Sequence, residues 1–284
     1  MNVLIIQENG RHDKNRMFRE CFSLQRSFVK LGHNAVVWGL GHENYNDNIN
    51  YNDFDLILNL ENHAHTAGNW LPDISSADCK KFLWSIDAHV RGVDPYEQEF
   101  NRGKYDILLH STKNFVNSYY HVWFPNCFDD TLLKPKKLNK VHKFGFCGNY
   151  VNRKDLLQKL ENDIGLHLDI FVIGDDMVDA INKYECHFNC NIGWGRYDEI
   201  NYRCFETIGC GTLLLTSAAN EYSELGFVDG KNCLIYNSID EIYEKVDFIN
   251  NNDCSHIAKA GLELSKAHTY DKRVASLIEL YRSM

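Results

Sequence analysis

The chain has 284 residues, 44% hydrophobic, 24% charged and 13% aromatic, with four prolines; this globular composition excludes a disordered, collagen-like or low-complexity protein. Basic residues number 30 and acidic ones 39, a formal charge of −9, so no blanket of positive charge for nucleic-acid backbones exists. The excess is uneven, with 16 basic and 17 acidic residues in 1–140 and 14 and 22 in 141–284, so charge argues only weakly against an acidic partner for the first half.

The chain opens in an α/β pattern. Residues 3–6 read as a buried strand. Residues 17–31 place Phe18, Cys21, Phe22, Leu24, Phe28 and Leu31 at helical spacing, and Gly32 stops that helix. A strand at 35–38 completes strand–helix–strand, which implies a parallel pair with a right-handed crossover. The Asn/Tyr/Asp-rich residues 44–53 read as a surface loop. Further strands are expected at 56–58, 82–84, 107–109 and 122–124. After the lysine-rich 134–137 the pattern restarts: strand 143–148, helix 155–164, strand 168–173, helix 177–184, strand 190–192 and helix 201–208. Strands at 212–216 and 233–236 follow, then helices at 239–249, 255–267 and 272–281. Two such units joined near 132–142 predict two facing Rossmann-like domains, with ligands at the C-terminal strand ends in an interdomain cleft.

No run approaches the roughly 18 apolar residues of a membrane span. The apolar start is cut by Gln7, Glu8 and Asn9, too short for a signal peptide. The ten cysteines therefore read as free thiols of a reducing cytoplasm.

Residues 193–212 hold the densest chemistry. A glycine-rich turn, Gly193 and Gly195, leads into a helix that stops at Gly209 and Gly211. A helix N-terminus presents free N–H groups and a positive dipole end, which suits a diphosphate. Arg196 or Arg203 can add charge-assisted bonds, and Glu206, one turn further in, can accept from ribose hydroxyls. The bland alternative is a capped helix whose Arg203 and Glu206, at i and i+3, form a surface ion pair. The glycine-rich entry, Asn, Arg, Glu and glycine exit together favour function.

The run Asn201-x-Arg203-x-Phe205-Glu206-x-x-x-x-Gly211, followed by Leu213-Leu214-Leu215, resembles the donor-binding signature of GT-B glycosyltransferases. It looks closest to the spore-maturation-type (CgeB-like) group of glycosyltransferase family 1. The likeness continues through Glu224-Leu225-Gly226-Phe227, Gly230-Lys231-Asn232 and Tyr236 to His268-Thr269-Tyr270 and Arg273. Phe144-Gly145-Phe146-Cys147-Gly148-Asn149 with Arg153 fits the opening of that domain. The resemblance covers residues 143 to the end; before that it is only to the general two-domain plan. It implies the α/β GT-B fold, an acceptor domain at 1–140, a donor domain at 141–270, and a last helix in 271–284 that packs back on the first domain. It also implies a nucleotide-sugar co-substrate, a UDP-sugar, and no further cofactor. The implied donor residues are Gly148, Asn149, Arg153, Arg196, Asp198, Asn201, Arg203 and Glu206. In related retaining enzymes an acidic residue lies eight positions before the ribose-binding Glu. Here that position is Asp198, shorter than the usual Glu, with Glu199 beside it.

In the first half, Glu8, Asn9, Arg11 and Arg16, with Arg19, form a polar loop after the first strand, where an acceptor would sit. His12 can deprotonate a hydroxyl, and the arginines can hold a phosphate or carboxylate. The bland alternative, a helix-entry loop with solvated charges, stands level with this. Asp87 and His89 close an apolar strand and share a face if that strand continues, giving an oriented base. Glu61-Asn62-His63, with His65, and His42 add polar strand ends, although single histidines are more often structural. Cys186, His187 and Cys190 offer three zinc ligands without a second pair, so core cysteines are favoured and no metal site is expected.

The expected activity is transfer of a hexose or pentose from a nucleotide to a hydroxyl. The acceptor is a glycan or a hydroxymethylated base in phage DNA, for which Lys134, Lys136, Lys137 and Lys140 can supply phosphate contacts. The Asn- and Lys-rich, Pro-poor composition suits a phage genome; the expected location, from the free thiols, is the cytoplasm of a bacterium or infected host. A non-catalytic nucleotide- or sugar-binding module is the competing reading. A Rossmann oxidoreductase is disfavoured, because no Gly-x-Gly-x-x-Gly follows either first strand.

Overall fold

The computed structural model describes residues 1–10, 12–62, 70–151, 153–190 and 200–284. Two compact units divide the chain: Met1–Pro125 with Tyr270–Met284, and Asn126–Thr269.

The first unit holds a six-stranded sheet in the order β2-β1-β3-β4-β5-β6, all pairs parallel. Its strands are β1 (Asn2–Ile6), β2 (Asn34–Trp38), β3 (Leu56–Leu60), β4 (Lys80–Ser85), β5 (Ile107–His110) and β6 (His121–Trp123). The inner strands β1, β3 and β4 are buried almost throughout, which is why they read as unbroken apolar runs. Helix α1 (Glu20–Lys30) turns Cys21, Leu24 and Phe28 inward. It starts later than its apolar spacing predicts, because a 3-10 helix over Asp13–Phe18 precedes it and extended Arg19 separates the two. Two helices that sequence reading did not register follow β4: α2 (Ala88–Arg91) and α3 (Asp94–Gly103). α3 buries only Tyr96 and Gly103, so it shows little apolar period.

The second unit holds a five-stranded sheet in the order β11-β10-β9-β7-β8, again all parallel. In chain order its elements are β7 (His142–Gly148), α4 (Lys154–Ile164), β8 (His167–Ile170), α5 (Gly174–Lys183) and β9 (Tyr184–Asn189). Then come α6 (Tyr202–Gly209), β10 (Leu213–Ser217), β11 (Leu234–Tyr236), α7 (Ile239–Asn251) and α8 (Ser255–Ser265). The expected boundary between helix 177–184 and strand 190–192 is corrected: the strand occupies Tyr184–Asn189. Its polar Glu185, His187 and Asn189 disguise a central strand that pairs with both β7 and β10. β8 ends three residues before the expected position, where Phe171 takes φ 58.

The division after Pro125 falls ahead of the residue-140 boundary read from the sequence. The connecting segment is bonded into the second unit: Lys136 N donates to Asn182 Oδ1 (2.7 Å), and Asn182 Nδ2 donates to Lys134 O (3.2 Å). The final helix α9 (Tyr270–Ser283) belongs to the first unit, where Asp271 accepts from Ser27 Oγ at 2.7 Å and pairs with Lys30.

Packing in the second unit is tight around Gly145. A Cβ built there would lie 2.2 Å from the ring of fully buried Tyr184. Gly145→Ala is therefore expected to cost about 1–3 kcal/mol by overpacking, read as a lower thermal midpoint. An unchanged midpoint would contradict this packing.

Candidate functional site

The C-terminal strand ends of the second unit gather most of the expected donor residues. After β7, Asn149 Oδ1 accepts from Val151 N at 2.9 Å and shapes a tight turn. That turn delivers Arg153 to the start of α4. Arg153 donates through Nε to Asn149 O (2.8 Å) and through Nη1 to Cys190 O, and its guanidinium lies 5.0 Å from the Phe146 ring centroid. It thus joins the ends of β7 and β9. Burial, with Arg203 nearby, lowers its pKa below the ordinary arginine value, yet a guanidinium remains cationic.

α6 brings Arg203 and Glu206 together, Nη1 to Oε2 at 2.6 Å. Their side chains are only 20% and 16% exposed, so the solvated pair of the bland reading is not what forms. Burial pulls the Arg203 pKa down, but Glu206 and neighbouring groups outweigh it and the net shift is upward. Among the described residues, Arg203 is the one polar partner of Glu206, whose Oε1 stays available to accept. Asn201, the residue before α6, does not cap it. Its Nδ2 donates instead to Asn189 Oδ1 (3.2 Å), whose own Nδ2 donates to Thr216 Oγ1 (2.9 Å), tying the helix entry to β9 and β10.

Sequence reading missed the pin beneath α6. His187 is fully buried; its Nε2 accepts from Cys147 N at 3.2 Å and its Nδ1 meets Thr207 Oγ1. Because Nε2 must be an acceptor, the proton sits on Nδ1. Burial, then the charges of Arg203 and Arg153, hold its pKa well below the usual histidine value, so it is neutral. With both nitrogens engaged and Cys186 and Cys190 in the core, this group is structural. A polar residue inside an otherwise apolar strand was the available signal. Arg196, Asp198 and neighbouring Glu199 lie outside the described residues, as do Arg11, His63 and His65.

The first unit assembles a second polar edge. Gln7 Nε2 donates to Glu20 Oε2 (3.0 Å), and its Oε1 accepts from Cys21 N (3.1 Å). Buried Glu8 pairs with Arg19 at 3.4 Å, and Glu8 N donates to Asn62 Oδ1 (2.9 Å). Asn9 Nδ2 donates to Gly41 O (3.0 Å). Glu61 is buried, accepts from the backbone N–H groups of Ile86 and Asp87, and pairs with Arg91 Nε at 2.8 Å. Burial and then the Asp87 charge raise its pKa. His12 is exposed at the start of the 3-10 helix, and Arg16 pairs with exposed Asp13 at 3.0 Å.

One expectation is corrected here. β4 ends at Ser85, Asp87 precedes α2, and His89 lies buried within it. Strand alternation therefore does not align Asp87 with His89; on a helix, two positions are turned roughly 200° apart. The missed histidine is His110 at the end of β5, fully buried, with Nδ1 2.8 Å from Ser85 Oγ. Among the described residues no helix is long and apolar enough to cross a membrane.

Comparison with solved structures gives full-length matches at low identity. An α-glucosyltransferase solved with UDP and a 13-mer DNA containing an HMU base matches at TM-score 0.70 and 10% identity, over 99% of both chains. HepE from Anabaena, solved with UDP and glucose, matches at TM-score 0.68 and 12% identity, over 100% of both. Sucrose-phosphate synthase from Thermosynechococcus elongatus matches at 0.64 and 11%, over 99% of this chain and 98% of that one. Among curated proteins, none matches in sequence. The fold is α/β with two parallel sheets of Rossmann-like order, as in GT-B glycosyltransferases. The family model described as glycosyl transferase-like matches residues 132–279, more than half of the chain, and the protein belongs to that family.

Proposed function

We propose that the protein transfers a sugar from a nucleotide donor, a UDP-sugar, to an acceptor hydroxyl. The observation that carries this reading is the cluster of Arg153, Arg203 and Glu206 at the C-terminal edge of the second sheet, beside the N-terminus of α6. Arg153 and the helix N–H groups suit the diphosphate that departs with the nucleotide, stabilising the charge that develops on it. Glu206 Oε1 suits a ribose hydroxyl. Gly148 and Asn149 line the turn, Asn201 sets the helix entry, and Arg196 and Asp198 complete the donor set read from the sequence. UDP in two of the similar structures supports the choice of nucleotide.

On the acceptor side, Glu8, Asn9, Glu61 and Asn62 follow the strand ends of the first unit, and Arg11 and Arg16 complete the acceptor set read from the sequence. His12 is the most exposed base candidate, with half-buried Asp87 and buried His89 as the others. A glycan supplies the hydroxyl in one version of this reading. A hydroxymethylated DNA base supplies it in the other, which the DNA-bound similar structure supports.

The test is a thermal-shift series with UDP, other nucleoside diphosphates and UDP-sugars. A ligand at 100 times its Kd adds about 2.7 kcal/mol, so a selective rise with UDP is expected. No shift with any nucleotide would overturn the donor assignment and leave a sugar-binding module without nucleotide chemistry.

A further inference from the structure

The N-terminal ends of β9 and β10 frame a cavity of about 520 Å³ in the second unit. That volume lies in the range of small-molecule sites. Glu185 at the start of β9 and Leu213 at the start of β10 line it, so it lies at the sheet edge opposite Arg153 and Asn201. Its lining includes none of the residues proposed to hold the donor.

Much of the wall is aliphatic: Pro135, Leu213, Ile249, Ala258 and Leu262. Gly211, just past the end of α6, keeps space between two of these residues. Its φ of 69 is a glycine conformation, and a Cβ there would stand 3.3 Å from Pro135 Cγ and 3.6 Å from Leu262 Cδ2. The charged lining residues are Lys140, Lys259, Glu185 and Asp253. Lys140 Nζ donates to Oγ1 of buried Thr212 at 3.2 Å, and Thr212 Oγ1 gives its own proton to Ile181 O at 2.8 Å. Thr212 therefore fixes the ammonium without neutralising it. Burial lowers the Lys140 pKa, and the opposing influence of Cys210 and Glu185 does not make up the difference. Among the described residues, no carboxylate stands within ion-pair distance of Lys140 or of exposed Lys259. A cation so placed favours an anionic partner, and it keeps two N–H groups for one. Asp253 is already engaged, since its Oδ1 accepts from Ser255 N at 2.9 Å. Asp253 and Glu185 nevertheless limit the negative charge that can enter. A diphosphate would be repelled by both, whereas a single carboxylate is matched by the two lysines.

We propose that this cavity binds an amphipathic monoanion, an aliphatic body carrying one carboxylate, with the carboxylate on Lys140 and the body against Leu213, Ile249 and Leu262. Such a ligand breaks no ion pair on entering. The site is separate from the donor cluster, and the claim does not depend on the glycosyltransferase reading.

The experiment is a saturation-transfer NMR titration of the intact protein with hexanoate, octanoate and decanoate, each below its micelle concentration. Octanol and octylammonium serve as comparators of equal chain length. Affinity should rise along the carboxylate series, by up to about fourfold per buried CH2. Octanol should bind about tenfold more weakly than octanoate, and octylammonium not at all. Lys140→Met, at an exposed position, keeps an apolar stem; it should weaken octanoate about tenfold or more and leave octanol unchanged. Lys140→Glu should reverse the order of octanoate and octylammonium. Ala258→Trp, which fills the cavity, should abolish the octanoate signal, and Asn252→Trp, at an exposed lining position, repeats that test should the first variant fold poorly. Absence of any carboxylate signal, equal binding of octanol or octylammonium, octanoate binding unchanged in Lys140→Met, or a signal that survives the filled cavity would each overturn the proposal.

Discussion

Glu206→Ala is expected to do two things at once: weaken UDP binding about tenfold or more, and lower the stability of the second unit. The first effect follows from losing a charged acceptor, worth about 1.5–3 kcal/mol. The second follows from its partner. Arg203 is largely buried and pairs with Glu206 at 2.6 Å; deleting one member of a buried pair strands the other and costs about 3–5 kcal/mol when burial is complete. With the pair still 16–20% exposed, about 2–3 kcal/mol is expected after solvent screening. Thermal unfolding without ligand reads this as a drop of several degrees. Glu206→Gln keeps an acceptor for the guanidinium and should lose less stability while still weakening UDP. The double variant Arg203→Met with Glu206→Leu separates the two roles, because replacing both partners with apolar groups is often nearly neutral. It should recover most of the melting temperature and none of the UDP affinity. Normal UDP affinity in the folded double variant would sink the donor role of this pair.

Acid should destabilise both units, through buried histidines. His110 is fully buried, and burial, with His121 beside it, depresses its pKa from 6.5 to about 3. At neutral pH the ring is uncharged in both folded and unfolded chains. As pH falls below 6.5 the unfolded chain takes up the proton and the folded one does not, so stability declines progressively until the pH reaches about 3. At pH 5 this amounts to about 2 kcal/mol from His110 alone. His187 in the second unit is shifted in the same direction, first by burial and then by Arg203 and Arg153. Glu61 works oppositely, since its raised pKa lets the folded state hold a proton more readily in acid. The informative quantity is therefore the difference between wild type and His110→Gln in urea unfolding at pH 7 and pH 5. The variant is expected to lose about 2 kcal/mol less across that interval. An identical pH dependence in the two proteins would refute the assignment of this titration to His110.

How much was legible beforehand varies with the kind of signal each residue carries. β1, β3, β4 and β10 were readable because strands buried on both faces become continuous apolar runs. α6 was readable from its glycine exit and its Asn, Arg and Glu spacing. β9 was misplaced because a central strand can carry His187 and Asn189 when neighbouring elements satisfy them, and those partners, Thr207, Cys147 N and Thr216, lie elsewhere in the chain. α2 and α3 escaped notice because they bury few side chains. The Asp87 and His89 alignment failed for a local reason: whether β4 continues past Ser85 depends on Glu61, which accepts the N–H groups of Ile86 and Asp87 from across the sheet.

Sequence alone determined the α/β class, the two-unit order and the segment proposed to hold the donor, since each rests on short-range periodicity and on residues within one helix turn of each other. Tertiary structure decided the rest. It turned the Arg203–Glu206 pair inward, set the proton of His187 on Nδ1, and matched Glu61 and Glu99 with Arg91 and Arg102. The strength of these interactions depends on burial and on which charge stands opposite. Both are fixed only when strands far apart in the chain come to lie side by side.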